Sequence, residues 1–391
     1  MRVRRVGQAL RVSSSPDVLR RAAAAALSPT LGPVEVVLGE RLPSSERAVV
    51  VRAVVRDAVG REHAVVLKAP SGADGGSARE QAALRLLAGH QVPGVVRLLC
   101  SSLDPPLLVL ADGGSGPTLA DRLLGDDPAA AEAAVLGWAA AVGGLQAATT
   151  GLRQAFTDEL TAASPLGAPP IDTSDQALAE AAAVLARELP RLGVNVPTPA
   201  IDELRGVAAS LDVSAPGSAG ALVPGDTCPS NAIETDGGIV LLDFEAAEHR
   251  HIAWEAAYLL VPWPSCWCSW RLPAEVTARA LQAWQRTVAP VAPVVLTPPF
   301  RDDLARATTA WVFISTGWFL GSALDGDPPP PDPARRSMIP TRRALLQHRL
   351  RLVAEQETAV LPALQELAAQ ACDAAVRQWG RHPLPLAAAF R

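Results

Sequence analysis

Two carboxylates and one amide sit on or beside a single loop. In Leu222-Val-Pro-Gly-Asp-Thr-Cys-Pro-Ser-Asn231, Asp226 and Asn231 stand five residues apart on backbone broken by proline and glycine, and Asp243 follows in Leu241-Leu-Asp-Phe-Glu245. The intervening Ala232-Ile-Glu-Thr, Asp236-Gly-Gly and Ile239-Val-Leu-Leu read as strand, tight turn and strand. A hairpin of that length returns Asp243 towards Asn231. Oxygen ligands of this kind suit Mg²⁺. Phosphoryl transfer asks a protein for such ligands, a residue that orients the attacking hydroxyl, and cations over the phosphates. The loop offers the first two and lacks the third.

The chain supplies the cation once. Of 35 basic residues, Lys68 is the only lysine. It ends the strand-like run His63-Ala-Val-Val-Leu-Lys68. A compact ammonium on a flexible stem suits phosphate oxygens as a point charge where arginine presents a planar fork. Such a lysine needs a carboxylate to hold it, and Glu80, in Ala78-Arg-Glu-Gln-Ala-Ala-Leu-Arg-Leu-Leu87, is the candidate. Ser77 and Glu80 also spell a capping box, in which Glu80 would bond back to the backbone of Ser77. The two readings orient Glu80 differently.

Two kinds of segment must position these groups. Residues 34–38, 48–55, 63–68, 95–99 and 106–110 are short β-branched runs between turns, an antiparallel sheet with one helix, about 77–88, among them. After the glycine-rich Ala111-Asp-Gly-Gly-Ser-Gly-Pro117 the chain turns helical, with periodic segments near 118–124, 129–149, 176–191, 200–211, 252–260, 273–288, 301–324, 340–356 and 358–379. Ser15, Pro16 and Asp17 open a further helix to about Leu27. The reading is α+β: an N-terminal helical extension over 1–33, a small sheet lobe over 34–112, and a larger helical lobe over 113–391.

This combination resembles the aminoglycoside phosphotransferase and choline kinase superfamily, which has the protein-kinase-like two-lobed fold. The features that carry the resemblance are Lys68 on a strand, the helix with Glu80, the glycine-rich crossing, Gly-Asp-x4-Asn and Asp-Phe-Glu. It runs from about residue 34 to 260. It implies a small-molecule kinase that moves the γ-phosphate of ATP, with GTP left open, to a hydroxyl of an aminoglycoside, another antibiotic or a metabolite. The alternative is a nucleotide-binding pseudokinase or regulatory protein without transfer. By resemblance Asp226 is the catalytic aspartate and Asn231 and Asp243 bind Mg²⁺. Lys68, held by Glu80, binds phosphates, backbone amides near Ser44 and Ser45 cradle them, and Val66, Leu110 and Ala111 line the adenine site. A short path from Asp243 to the next helix, without a long activation segment, argues for a small acceptor over a peptide.

The sequence departs from the family pattern at Pro224, where a histidine is usual, at Gln146, which follows Leu145 in place of a histidine, and at Glu255, where an aspartate is usual. The net charge of −5 and the absence of a basic, aromatic-studded stripe exclude nucleic acid as an expected partner. Five scattered cysteines argue against a disulfide framework and for a reducing, cytoplasmic setting. Cys266-x-Cys268 with His249 and His251 lacks the spacing of a zinc finger. Ala307–Leu324 carries no charge over eighteen residues, but its hydroxyls favour a buried helix over a membrane span. Trp263, Trp267 and Trp270 either wall a ligand site or fill a core.

Overall fold

The computed structural model describes residues 15–42, 47–70, 76–164, 167–214, 218–329, 338–357 and 360–391. Ser44 and Ser45 lie outside them. The chain divides into two compact units. The first comprises residues 1–115, 154–169 and 242–247, and the second 116–153, 170–241 and 248–391.

The first unit is built on a five-stranded antiparallel sheet in the order β1-β2-β3-β5-β4. Its strands are β1 (Glu35–Arg41), β2 (Ala48–Arg56), β3 (Glu62–Pro70), β4 (Leu98–Leu103) and β5 (Pro106–Ala111). Helix α1 (Pro16–Leu31) starts where Ser15 accepts a hydrogen bond from the Val18 amide, with Pro16 and Asp17 in its first turn. Leu19, Ala22, Ala23 and Leu27 of α1 pack on Val51, Ala53, Val55, Val65, Leu67, Ala69, Leu107 and Val109. Because successive strand side chains point to opposite faces, this core fixes the remaining parity: Val66 and Lys68 stand on the other face of β3. Lys68 pairs with Leu108, and Val66 with Leu110. Helix α2 (Gly76–Gly89) follows β3. One strand differs from the sequence reading. Strand β4 begins at Leu98, not Val95, after a bend at Pro93-Gly94, and its register shifts between Leu98 and Cys100.

The second unit is mainly helical. It contains α3 (Leu119–Leu124), α4 (Pro128–Thr149), α6 (Ser174–Glu188), α7 (Thr198–Ser210), α8 (Ala253–Ala256), α9 (Ala274–Val288), α10 (Pro298–Leu324), α11 (Arg342–Ala354) and α12 (Pro362–Trp379). Helix α5 (Arg153–Ala163), which the sequence reading missed, belongs almost wholly to the first unit. Helix α4 packs along α9, and α10 along α6 and α11. By length and composition α4 is apolar enough to cross a membrane. Its Trp138, Val142 and Leu145 are buried in the protein. Every residue from Ala307 to Thr316 of α10 is buried too, and the Thr308, Ser315 and Thr316 hydroxyls bond to carbonyls of their own helix.

Two small sheets interrupt the helices. Strands β7 (Ala232–Thr235) and β8 (Gly238–Leu241) form the expected hairpin. Strands β6 (Gly220–Val223) and β9 (Glu248–His251) pair antiparallel, and all eight residues are buried. Strand β9 reads Glu-His-Arg-His, which hydrophobic periodicity cannot recognise as a core strand. Gly116 lets the chain approach β7 closely: a Cβ there would stand 1.9 Å from the Glu234 carbonyl oxygen.

Burial pulls the His249 and His348 pKa values down to about 4 from an ordinary 6.5, so both rings are neutral near pH 7. The unfolded chain takes up these protons first on acidification. Stability should therefore be intact above pH 6.5 and fall progressively towards pH 4. Thermal unfolding midpoints across that range check this, and His249→Gln should flatten the slope.

Candidate active site

In the first unit, the parity of β3 sends Lys68 to a cluster of carboxylates. Lys68 Nζ lies 2.7 Å from Glu80 Oε2, 2.6 Å from Asp243 Oδ1 and 4.0 Å from Glu245 Oε2. Helix α2 starts at Gly76, so Ser77 is already helical, and Glu80 faces Lys68. Both Lys68 and Glu80 are buried. Burial pulls the Lys68 pKa down, but the Glu80 and Asp243 carboxylates outweigh it and hold the ammonium above its ordinary value. The lysine is thus a fixed cation with no tendency to act as a base.

The Asp243 segment is anchored to this unit at further points. Arg79 donates to the Ala247 carbonyl oxygen at 3.0 Å, Arg47 pairs with Glu245 at 2.7 Å, and Phe244 is fully buried. Asp243 itself has φ +61°, the left-handed region that only a few residue types besides glycine enter. That conformation is local strain held by the surrounding contacts. Val66, Leu110 and Ala111 lie at paired positions of β3 and β5 on the sheet that carries Lys68. Beside them, Arg52 bridges to Asp112 at 3.2 Å, and the Gly114 amide bonds to the same carboxylate at 2.9 Å, closing the chain turn after β5.

In the second unit, the loop after β6 is tied down from below. Gly225 turns the chain at φ +78°, and its carbonyl accepts a 3.2 Å hydrogen bond from the Tyr258 hydroxyl. Thr227 Oγ1 donates to Glu255 Oε2 at 2.7 Å. Arg250 in turn donates to Glu255 Oε1 at 2.8 Å and to Glu248 Oε2 at 3.1 Å, and Glu248 Oε1 accepts from the Thr173 amide and hydroxyl. Burial works against the Arg250 charge, yet the Glu248 and Glu255 carboxylates raise its pKa overall. The guanidinium also lies 5.2 Å from the Trp254 ring centroid and 5.5 Å from that of Trp311. Gln146, buried on α4, links Trp284 Nε1 at 2.7 Å to the Ile252 carbonyl at 3.4 Å.

At the top of the loop, Asn231 Nδ2 donates to the Asp226 carbonyl oxygen at 3.1 Å, and the Asn231 amide to the Cys228 carbonyl at 2.8 Å. With its nitrogen so engaged, the Asn231 side chain presents an oxygen to any ligand. An amide oxygen of this kind, like the Asp243 carboxylate of the first unit taken by itself, is a hard oxygen donor of the type Mg²⁺ takes. Asp226 Oδ1 accepts a 2.6 Å hydrogen bond from Ser265 Oγ, and Ser265 Oγ is 3.0 Å from the Tyr258 hydroxyl.

The cysteines correct the sequence reading, which argued against a disulfide framework and for a reducing setting: Cys228 of this loop is bonded to Cys266, the neighbour of Ser265. Periodicity and spacing could not show it, because the bond joins two loops 38 residues apart. Cys268 lies within 4.8 Å of both sulfurs, whereas His249 and His251 are not in that cluster. The tryptophans divide. Trp263 and Trp270 are core residues, Trp263 with φ +41° and Trp270 bonding the Met338 carbonyl at 2.7 Å, and half-buried Trp267 meets Trp270 edge-on. Sequence reasoning missed Tyr258, Thr227, Arg250 and Ser265, and weighed Glu248 only as a carboxylate for a cationic acceptor, where the structure uses it to hold Arg250. The alternating charges of β9 are the one signal that marked any of them.

The sequence matches the phosphotransferase enzyme family over residues 44–294. No curated protein matches it. Among solved structures, a choline kinase from Cryptosporidium parvum superposes with a TM-score of 0.50 at 11% identity, over 85% of this chain and 93% of that one. A choline/ethanolamine kinase family protein from Mesorhizobium loti gives 0.48 at 16% identity, over 93% and 98%. A macrolide 2′-phosphotransferase from Brachybacterium faecium gives 0.44 at 17%, over 85% and 98%.

Breaking the buried ion network should be costly. Arg250→Ala leaves Glu248 and Glu255 buried without their cation and is expected to lower unfolding free energy by about 3–5 kcal/mol. Denaturant titration measures this, and a loss under about 1 kcal/mol would show the network to be dispensable.

Proposed function

The chain belongs to the phosphotransferase enzyme family, and from that premise we propose that it transfers the γ-phosphate of ATP to a hydroxyl of a small molecule. The observation that carries the reading is the chain's sole lysine, buried and held as a cation by Glu80 and Asp243.

Lys68 neutralises phosphate oxygens, and Glu80 keeps its ammonium in place. Asn231 and Asp243 would hold Mg²⁺, which neutralises charge on the triphosphate when bound. Val66 supplies an apolar surface over the adenine, Leu110 and Ala111 form the hinge at its edge, and backbone amides near Ser44 and Ser45 would cradle phosphates. Asp226 accepts the proton of the attacking hydroxyl. The balance is simple: the acceptor O–H bond breaks, its oxygen bonds the γ-phosphorus, ADP leaves, and Asp226 carries the proton away. Small hydroxylated metabolites or antibiotics are the acceptor class; a soluble, cytoplasmic setting rests on the family reading alone, since the Cys228–Cys266 bond removes the cysteine argument for a reducing compartment. Neither nucleic acid nor membrane is part of the reading.

Asp226→Ala should lower transfer by about 10²–10⁴-fold while leaving folding and nucleotide binding nearly intact. Asp243→Ala should remove the Mg²⁺ dependence of nucleotide affinity, and Lys68→Ala should shrink the thermal shift that Mg-ATP produces. The assay is Mg-ATP with a panel of hydroxylated compounds, read by mass spectrometry for an added phosphoryl group. An unchanged thermal shift in Lys68→Ala would count against the scheme.

A further inference from the structure

A hydroxyl already occupies the place where the proposed reaction puts one. Ser265 Oγ stands 2.6 Å from Asp226 Oδ1. A carboxylate can only accept, so the serine proton points at the group that would take it during transfer. That is the contact a general base makes with the proton it removes.

The serine is held there from several directions. Its oxygen is also 3.0 Å from the Tyr258 hydroxyl, whose own proton goes to the Gly225 carbonyl oxygen. Tyr258 remains a donor, since burial first, and the Glu255 and Asp226 charges next, keep its pKa well above the ordinary value. The Cys228–Cys266 bond ties the residue after Ser265 to the loop that carries Asp226. Ser269 Oγ bonds the Trp263 and Cys266 carbonyls at 2.8 and 2.6 Å and accepts from buried Arg349 at 3.1 Å, so the segment on both sides of Ser265 is braced. Ser265 itself is only partly buried.

We propose that Ser265 is an internal phosphoryl acceptor, a self-modification site that the chain phosphorylates from Mg-ATP; this rests on the phosphotransferase reading above. In the step, the Ser265 O–H bond breaks and its proton passes to Asp226. An Oγ–P bond forms as the bond from the γ-phosphorus to the β,γ-bridging oxygen breaks, and ADP leaves. The product places a phosphate of about −1.5 to −2 charge beside the Asp226 carboxylate. Like-charge repulsion there disfavours binding of a second acceptor, so self-transfer is limited to one event per chain and lowers transfer to small molecules.

The test incubates the full chain with Mg-ATP alone and follows intact mass and peptide fragmentation. The expected result is a gain of one phosphoryl group, mapped to Ser265, absent in Ser265→Ala, retained in Ser265→Thr, and formed about 10²–10⁴-fold more slowly in Asp226→Asn. An unchanged Mg-ATP thermal shift in Ser265→Ala certifies that this variant is folded. Preincubation with Mg-ATP should slow later transfer to an added acceptor in the wild type and not in Ser265→Ala. Phosphate on another residue, or undiminished labelling in Asp226→Asn, overturns the proposal. So does a preparation that phosphorylates a small acceptor and never itself. A folded preparation that binds Mg-ATP and transfers to neither overturns the proposed function as well.

Discussion

A guanidinium buried beneath the Asp226 loop governs the second unit. Arg250 is almost fully removed from water, as are Glu248 and Glu255 on either side of it. Desolvating three charges is expensive, and close geometry with further hydrogen bonds is what offsets it. Both are present. Thr173 supplies donors to Glu248, Thr227 to Glu255, and two indole rings flank the cation. The arrangement tolerates no partial version, since losing one member strands the others. It therefore fixes β9, the start of α8 and the Asp226 loop relative to one another within this unit.

That network also explains how the loop manages with Pro224. Proline offers no N–H, and no imidazole stands before Gly225 to brace the turn. The bracing comes instead from Tyr258 on the Gly225 carbonyl, from Thr227 through Glu255, and from Asn231 on the Asp226 carbonyl. Glu255 reaches from α8 with one methylene more than an aspartate has, and Thr227 and Arg250 share its two oxygens. Gln146 fills its buried position by using both ends of its amide, one on an indole and one on the backbone ahead of α8.

The sheet lobe was legible in the sequence because its signals are local. Alternating β-branched runs gave strands whose parity fixes the face Lys68 occupies, and one lysine among many arginines drew attention to it. The hairpin from Ala232 to Leu241 followed from Asp236-Gly-Gly. What stayed hidden is non-local. Strand β9 is polar by composition and becomes a core strand only because its charges meet partners from α8 and the segment before α6. The Cys228–Cys266 bond and the Ser265 contact join loops with no common periodicity, and the capping-box spelling at Ser77 is indistinguishable in sequence from the Lys68 partner. The tryptophan run was ambiguous because indoles serve cores and ligand walls with the same chemistry.

The lone lysine carries one more consequence, for chemical probing. Reagents that acylate side-chain amines have a single target in this chain, so labelling stoichiometry reads one atom, apart from the chain's α-amino group. That amine is protonated and surrounded by carboxylates, which suppresses its nucleophilicity. Withdrawing Asp243 from it, as occupation of that carboxylate by a cation would do, changes the reactivity of the only reporter present. The Lys68 ammonium thus serves as a built-in sensor of the protein's own electrostatics.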